Sequence, residues 1–134
     1  MLRLLYTSQA LPAVNEDSVR DILQASRKNN AQQGITGVLV FGGRVFMQVL
    51  EGPEKCVLST YLKITEDVRH SDCRIIHVTP AESRLFDQWT MGVIECDPLE
   101  FQHITELRSY RTESVSGDAF RKVMQAFLAR LNSR

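Results

Sequence analysis

Residues 36–52, TGVLVFGGRVFMQVLEG, decide the fold, because two strand-like runs flank a pair of glycines. Val, Leu, Phe and Met fill both runs, and Gly42-Gly43 supplies the permissive backbone angles of a two-residue hairpin turn. A nucleotide-binding loop is the alternative for adjacent glycines, but these two join strands. The stretch therefore predicts two adjacent antiparallel strands, TGVLVF and RVFMQVLEG.

The segment before this hairpin predicts one strand and one helix. Residues 2–8, LRLLYTS, alternate so that Tyr6 faces the same way as Leu4. Asn15 is a suitable helix cap, apolar residues follow at helical spacing, and Gly34 ends the helix. The last turn of this predicted helix carries Ser26, Arg27, Asn29 and Asn30.

The segment after the hairpin predicts a second helix and two more strands. Pro53 fits the first turn of a helix, whose apolar residues recur every three or four positions up to a predicted end near Arg69 and His70. CRIIHVTP and WTMGVIEC have the composition of strands. The order β-α-β-β-α-β-β contains the split pattern of a ferredoxin-like α+β sandwich, with two helices on one face of a mixed sheet.

The tail beyond Pro98 has helical periodicity. Its apolar stripe consists of Phe120, Val123, Met124, Phe127, Leu128 and Leu131. We expect a C-terminal helical extension that packs on the other face of the sheet, with SVSG at 114–117 as a break between two tail helices. This divides the chain into a core domain, residues 1–97, and an extension, residues 98–134.

Neither the charge nor the hydropathy of the chain indicates a binding partner. Lysine and arginine number 16, and aspartate and glutamate also number 16, in a chain of 134 residues. This balance gives no field that would attract nucleic acid or an anionic membrane, so neither is expected as a partner. No apolar run approaches the roughly 20 residues of a membrane span, and no signal-like stretch opens the chain, so we expect a soluble cytoplasmic protein.

The cysteines and histidines lack the spacing of a metal site. The cysteines, which fit reduced core thiols, are Cys56, Cys73 and Cys96. The histidines, which fall in three different elements, are His70, His77 and His103. No phosphate loop, GxSxG elbow or HExxH pair is found either, so we expect neither a bound metal nor an enzyme.

Two polar residues fall on predicted inward faces. Gln48 shares its strand face with Phe46 and Leu50, and a buried amide without partners costs about 1–3 kcal/mol. Gln48 therefore either braces a neighbouring loop or belongs to a binding site. Tyr6 is open to the same two interpretations, as a core tyrosine or as a site residue.

Five strings together resemble the BLUF family of flavin-based blue-light receptors. They are LRLLYTSQ, SRKNNAQQGITGVLVF, FMQVLEG, DVRH and RLFDQWTMG, and the resemblance covers residues 2 to about 95. The resemblance implies a ferredoxin-like fold with a noncovalently bound FAD, or FMN, whose ring lies between the two helices. The strands carrying Tyr6 and Gln48 would lie beneath that ring.

By position in these strings, Asn30 is similar to the family's asparagine at the polar edge of the ring, with Asn29 beside it. The remaining cofactor-binding positions that the resemblance implies are Tyr6, Ser26, Arg27, Gln48, Asp67, Arg69 and His70. The family pattern often has Pro where this chain has Val68. Trp89 and Met91 match the segment that exchanges positions near the glutamine during signalling, and which of them lies beside Gln48 stays open.

The resemblance implies a mechanism in which Tyr6 gives an electron and a proton to the excited flavin while Gln48 rotates or tautomerises. The photoactive residues are then Tyr6, Gln48, Trp89 and Met91, and the signalling state is red-shifted. About 40 residues beyond the core cannot hold a cyclase or phosphodiesterase, so the expected output is contact with a separate effector or a homo-oligomer. The alternative is a ferredoxin-like module that binds another small ligand or a protein without photochemistry.

Overall fold

The structure, a computed structural model, describes residues 1–42, 44–95 and 117–132, and within these ranges the predicted order of elements is confirmed. In chain order the elements are β1 (Leu2–Ala10), α1 (Glu16–Gln33), β2 (Thr36–Gly42), β3 (Val45–Gly52), α2 (Glu54–Thr65), β4 (His70–Pro80), β5 (Gly92–Glu95) and α3 (Gly117–Asn132). The predictions for Cys96, His103 and the boundary near residue 97 lie outside the described residues, as does the predicted break at 114–117 apart from Gly117, where α3 begins.

The five strands form one mixed sheet in the order β4-β1-β3-β2-β5. The pairs within β4-β1-β3-β2 are antiparallel, and β5 runs parallel to β2. The register between β1 and β3 sets Tyr6 opposite Gln48, and the register between β3 and β2 sets Gln48 opposite Leu39. The ferredoxin-like α+β architecture is therefore confirmed, with Gln48 on a central strand.

Helix α1 has defined signals at both ends. The Asn15 side chain accepts from the backbone N–H of Ser18 at 2.9 Å in a capping box, and Gly34 closes the helix in the left-handed conformation with φ of 67°. The helix runs to Gln33, so Asn30 lies in its last turn as predicted, whereas Ser26, Arg27 and Asn29 lie in the turn before it. Gly34 ends the helix as predicted.

Gly42 belongs to a strand and not to the hairpin turn in which it was predicted. It still pairs with Val45 in the sheet and is the last residue of β2. Arg44 adopts φ of 66°, and its Nη1 donates to the carbonyl of Val14 at 2.8 Å, which offsets the cost of that backbone angle. Gly43 itself lies outside the described residues.

Helix α2 also ends earlier than predicted, at Thr65 instead of near Arg69 and His70. The carboxylate of Asp67 accepts from the backbone N–H and the Nε of Arg69, both at 2.9 Å, which favours a turn over another helical turn. Val68, which continues the apolar spacing of α2, is 82% exposed. His70 is consequently the first residue of β4.

The last strand begins later than predicted, at Gly92 instead of Trp89. The carbonyls before it are held by side chains of α1: Arg27 Nε donates to Met91 O at 3.2 Å, and Asn30 Nδ2 donates to Thr90 O at 2.7 Å. These bonds replace regular strand pairing at residues 90–91, whereas the carbonyl of Trp89 still accepts from the backbone N–H of Gly37 in β2 at 2.9 Å. The segment is therefore tied to a helix and not to a neighbouring strand alone.

The sheet is covered on both faces. The layer beneath α1 and α2 includes Leu4, Tyr6, Leu39, Phe46, Leu50, Val57 and Met91. The layer beneath α3 includes Leu5, Val38, Val40, Met47, Val49, Ile94, Met124, Phe127 and Leu131. The predicted packing of the tail on the second face is thus confirmed for α3, although the side chain of Phe120 lies outside the described residues. Across residues 1–42, 44–95 and 117–132, no helix has the length and apolarity of a membrane span.

Two glycines give a matched test of this packing. A methyl group on Gly37 would lie 1.9 Å from the carbonyl oxygen of Val49, which belongs to the backbone of β3, whereas one on Gly92 would lie 2.7 Å from the flexible end of Leu131. We expect Gly37→Ala to lower the free energy of unfolding by about 3 kcal/mol or more, and Gly92→Ala by about 1 kcal/mol. Chemical denaturation of both variants checks this; equal losses would contradict it.

Candidate functional site

A cleft of about 270 Å³ lies between α1, α2 and the sheet face that carries Gln48. Its apolar walls are Ile22, Ala25, Leu39, Phe46 and Ile64. Its polar lining consists of Tyr6, Ser26, Asn29, Asn30, Gln48, Thr60, Lys63, Asp67, Arg69 and His70. A narrow space with apolar faces and amides along one edge suits a flat heteroaromatic ring.

Tyr6 and Gln48 form the buried polar wall of the cleft. They lie directly opposite on β1 and β3, each about 3% exposed, and the Tyr6 hydroxyl donates to Gln48 Oε1. Gln48 Nε2 in turn donates to the thioether Sδ of Met91 at 3.3 Å. A thioether is a weak acceptor, so the amide NH2 is available to a stronger acceptor in the cleft.

The Tyr6 phenol is held in its neutral form. Burial raises the pKa of Tyr6 well above its ordinary range, and nearby Cys73, Tyr61 and Asp67 add to the rise because each becomes negative when it ionises. The Tyr61 ring packs edge-on against the Tyr6 ring, with 5.3 Å between the centroids. Any oxidation of Tyr6 is therefore coupled to loss of its hydroxyl proton, and that proton points at Gln48.

The amides of α1 form the second polar group. Asn30 is 1% exposed and is fixed through its Nδ2, which bonds the carbonyl of Thr90. Asn29 Nδ2 donates to Thr60 Oγ1 of α2 at 3.4 Å, so the two helices are joined across the cleft. Both amides and Ser26 line the cleft, and all three are among the positions that the family resemblance implies for cofactor binding.

The charged end of the cleft is formed by the turn after α2. The hydrogen bond from Arg69 is the main cause that holds the pKa of Asp67 below its usual value, and burial opposes it. His70 Nε2 lies 2.6 Å from the carbonyl of Ile64, and its Nδ1 lies 2.7 Å from Ser8 Oγ. Because a carbonyl only accepts, Nε2 carries a proton, and His70 links β1, β4 and α2.

Three predicted site residues lie outside the lining of the cleft. Arg27 is directed to the carbonyl of Met91 instead of toward a phosphate position. Met91 packs on the cleft side of the sheet, in contact with Gln48, while Trp89 packs against the layer beneath α3. The question left open by the sequence is thereby answered: Met91, not Trp89, lies beside Gln48.

Several residues that line the cleft were not predicted from the sequence. They are Ile22, Ala25, Leu39, Phe46, Thr60, Lys63 and Ile64. Helical spacing of Thr60, Lys63 and Ile64 along α2 would have placed these three near one face, and the register opposite Gln48 would have indicated Leu39. The described part of the chain contains no group of three or more His, Cys, Asp or Glu arranged to hold a metal ion.

Comparisons with known proteins agree on one family. A sequence model described as BLUF, sensors of blue light using FAD, matches residues 1–92. The beta subunit of the photoactivated adenylate cyclase of Euglena gracilis is 37% identical over 89 residues, which are 66% of this chain and 10% of that protein. The chain thus spans about a tenth of the length of the curated relatives that it matches.

Two solved structures match nearly the whole chain. BlsA in its photo-activated state has a TM-score of 0.78 and 26% identity, covering 95% of this chain and 94% of that one. BlrB, a BLUF protein in its dark state, has a TM-score of 0.76 and 26% identity, covering 96% and 95%.

The neutral state of Tyr6 predicts a titration outcome. The chain has three tyrosines, and a phenolate-absorbance titration of the native protein minus that of Tyr6→Phe isolates Tyr6. Since burial disfavours the charged form, we expect no phenolate from Tyr6 at about pH 10, where an exposed tyrosine is half ionised. In denaturant, the phenolate absorbance of Tyr6 should appear with a midpoint near pH 10. A native-state midpoint at that pH would contradict the expectation.

Proposed function

The chain belongs to the BLUF family, the sensors of blue light using FAD, and we propose that the cleft between α1 and α2 holds the flavin ring beside Tyr6 and Gln48. The observation that carries this proposal is the hydrogen-bonded series from Tyr6 through Gln48 to Met91 along the cleft wall. It joins a phenol that can give an electron, an amide that can reverse its bonds, and a segment that leaves the site.

The lining fits a flavin ring. Ile22 and Ile64 provide apolar faces from the two helices, while Asn30 and Gln48 provide amide groups at the edges. Ligand pockets of about 300–1,000 Å³ enclose whole drug-sized molecules, so a cleft of about 270 Å³ accommodates a ring system better than a complete dinucleotide. We propose that the ribityl chain and phosphates leave the cleft past Asp67, Arg69 and His70.

A bound flavin supplies the absorption of blue light and an acceptor for an electron. Tyr6 would then give up an electron together with its hydroxyl proton, because burial disfavours every charged form of its ring, and it would take both back as a bound flavin returned to its resting form. Gln48 is the group that this proton faces, and its amide has an acceptor at one end and donors at the other. Rotation or tautomerisation of Gln48 would redirect its amide donor toward a carbonyl of a bound ring, and that added bond would give the red shift.

The Gln48 switch also acts on Met91. In the described state the NH2 of Gln48 donates to Met91 Sδ, and a reoriented amide removes that donor. Met91 lies two positions after Trp89, which packs on the opposite face of the sheet. The segment from Trp89 to Met91 is therefore the proposed exit of the signal toward α3.

We propose FAD rather than FMN as the natural flavin, because the family description names FAD. For the output, we propose a change in contacts of α3 with a separate effector or with a second copy of the chain, without enzymatic activity of the chain itself. The Euglena relative is an adenylate cyclase subunit, which supports a role for this domain as the sensing part of a signalling system. The cytoplasmic location stays a prediction.

Absorption spectra before and after blue illumination test the proposal. The purified protein should carry flavin absorption that shifts slightly to the red in light and returns in the dark. Tyr6→Phe and Gln48→Leu should each retain flavin and lose the shift, because one removes the proton and the other the reversible amide. Gln32→Leu, at an exposed position of α1, is the control and should behave as wild type. Protein without flavin absorption, or a normal shift in Gln48→Leu, would contradict the proposal.

Asn30 gives a separate test of cofactor binding. Asn30→Ala removes one buried amide from the cleft, and a lost hydrogen bond of about 1–3 kcal/mol corresponds to roughly 5- to 150-fold weaker flavin binding. Equilibrium titration with FAD and FMN measures this and also compares the two flavins. Asn132→Ala, at an exposed position of α3, should bind as wild type does. Unchanged affinity in Asn30→Ala would remove Asn30 from the ring contacts.

A further inference from the structure

We propose that Glu51 is a positioning residue for the light signal: it fixes the segment before Trp89 so that a displacement at Met91 passes on to β5 and α3. The inference rests on the proposed function, since it concerns what happens after Gln48 has switched. It assigns a role to a buried acidic side chain outside the cleft.

Glu51 is completely buried, although it carries a carboxylate. It lies three residues after Gln48 on β3, and therefore on the opposite face of the sheet. Its Oε1 accepts from Thr36 Oγ1 at 3.1 Å and from the backbone N–H of Phe86, and its Oε2 accepts from Arg3 Nε and from the backbone N–H of Leu85, both at 3.1 Å. A buried carboxylate is tolerated only with such complete pairing.

Arg84 makes a second set of bonds to the same loop. Its Nη1 donates to Thr36 Oγ1 at 3.0 Å and to the carbonyl of Glu51 at 3.3 Å, and its Nη2 donates to the carbonyl of Gly34 at 2.6 Å. Arg3 Nη2 donates to the carbonyl of Ser83 at 2.9 Å. Residues 83–86 are thereby bound to β1, β2, β3 and the end of α1; we call this set of bonds the Glu51 clasp.

Residues 87–91 connect the Glu51 clasp to β5. On the clasp side, the backbone N–H of Trp89 donates to the carbonyl of Phe86 at 2.9 Å. On the other side, Gly92 begins β5 and lies against the side chain of Leu131 in α3. The light-driven switch of Gln48 acts between these two ends, at Met91. Because the clasp end is held by several hydrogen bonds to the sheet, a displacement at Met91 is taken up by β5 and α3.

The isosteric variant Glu51→Gln weakens the clasp without changing its volume. Each carboxylate oxygen accepts from one backbone N–H, of Leu85 or of Phe86. In either orientation the new NH2 group therefore faces a donor, and one end of the loop loses its acceptor. Glu82→Gln is the matched control, because Glu82 lies in the same loop and is exposed.

The experiment measures the local switch and the downstream response in the same flavin-loaded full chain. The red shift reports the reorientation of the Gln48 amide. Trp89 is the single tryptophan of the chain, so light-minus-dark tryptophan emission reports its surroundings, and amide hydrogen exchange of residues 117–132 reports α3. We expect Glu51→Gln to keep the red shift. The light-induced changes in tryptophan emission and in hydrogen exchange of α3 should both become smaller by roughly threefold or more. Glu82→Gln should keep all three.

Each other outcome decides against the inference. A normal red shift with full downstream changes in Glu51→Gln would show that the clasp does not direct the signal, and a lost red shift would place Glu51 within the switch. If Glu51→Gln does not fold, Arg84→Gln replaces it with the same expectation. If neither variant holds flavin in the dark, the clasp serves folding alone. A wild-type protein without a red shift would instead refute the proposed function, and the inference with it.

Discussion

The register between β1 and β3 is the constraint on which the site depends. It places Tyr6 opposite Gln48 at the distance of a cross-strand pair, and both point toward α1 and α2. A slip of one residue would turn every side chain of one strand to the other face, and would exchange Gln48 for Met47 or Val49. The apolar residues on both faces of the central strands oppose such a slip, so the core holds the donor and the amide in contact.

Much of this arrangement follows from patterns that are local in the chain. Alternation with a period of two placed Tyr6 and Gln48 on inward faces, and the caps at Asn15 and Gly34 defined α1. The end of α2 was mispredicted because apolar spacing continues to Val68, while the bond between Asp67 and the following backbone turns the chain earlier. A single short-range side-chain bond thus outweighed the helical pattern.

The remaining features depend on partners that are remote in sequence. Arg27 binds a carbonyl 64 positions further on, and Glu51 binds backbone groups 34 and 35 positions further on. Nothing local distinguishes these residues from an exposed arginine or an ordinary strand glutamate. The flavin itself was implied only by resemblance to a family, because the cleft lining contains no phosphate-binding loop and the residues that would face the ring are common core and amide residues.

The two faces of the sheet serve different purposes. The cleft lies on the side of α1 and α2, while α3 covers the reverse side. Met91 packs in the first layer, and Trp89, two positions earlier in the chain, packs against the second. A cofactor in the cleft and a protein docked on α3 would be separated by the sheet, so they would not compete for space. On the proposed function, a flavin and a partner would therefore meet different side chains, so substitutions on the exposed surface of α3 would leave the residues that line the cleft unchanged.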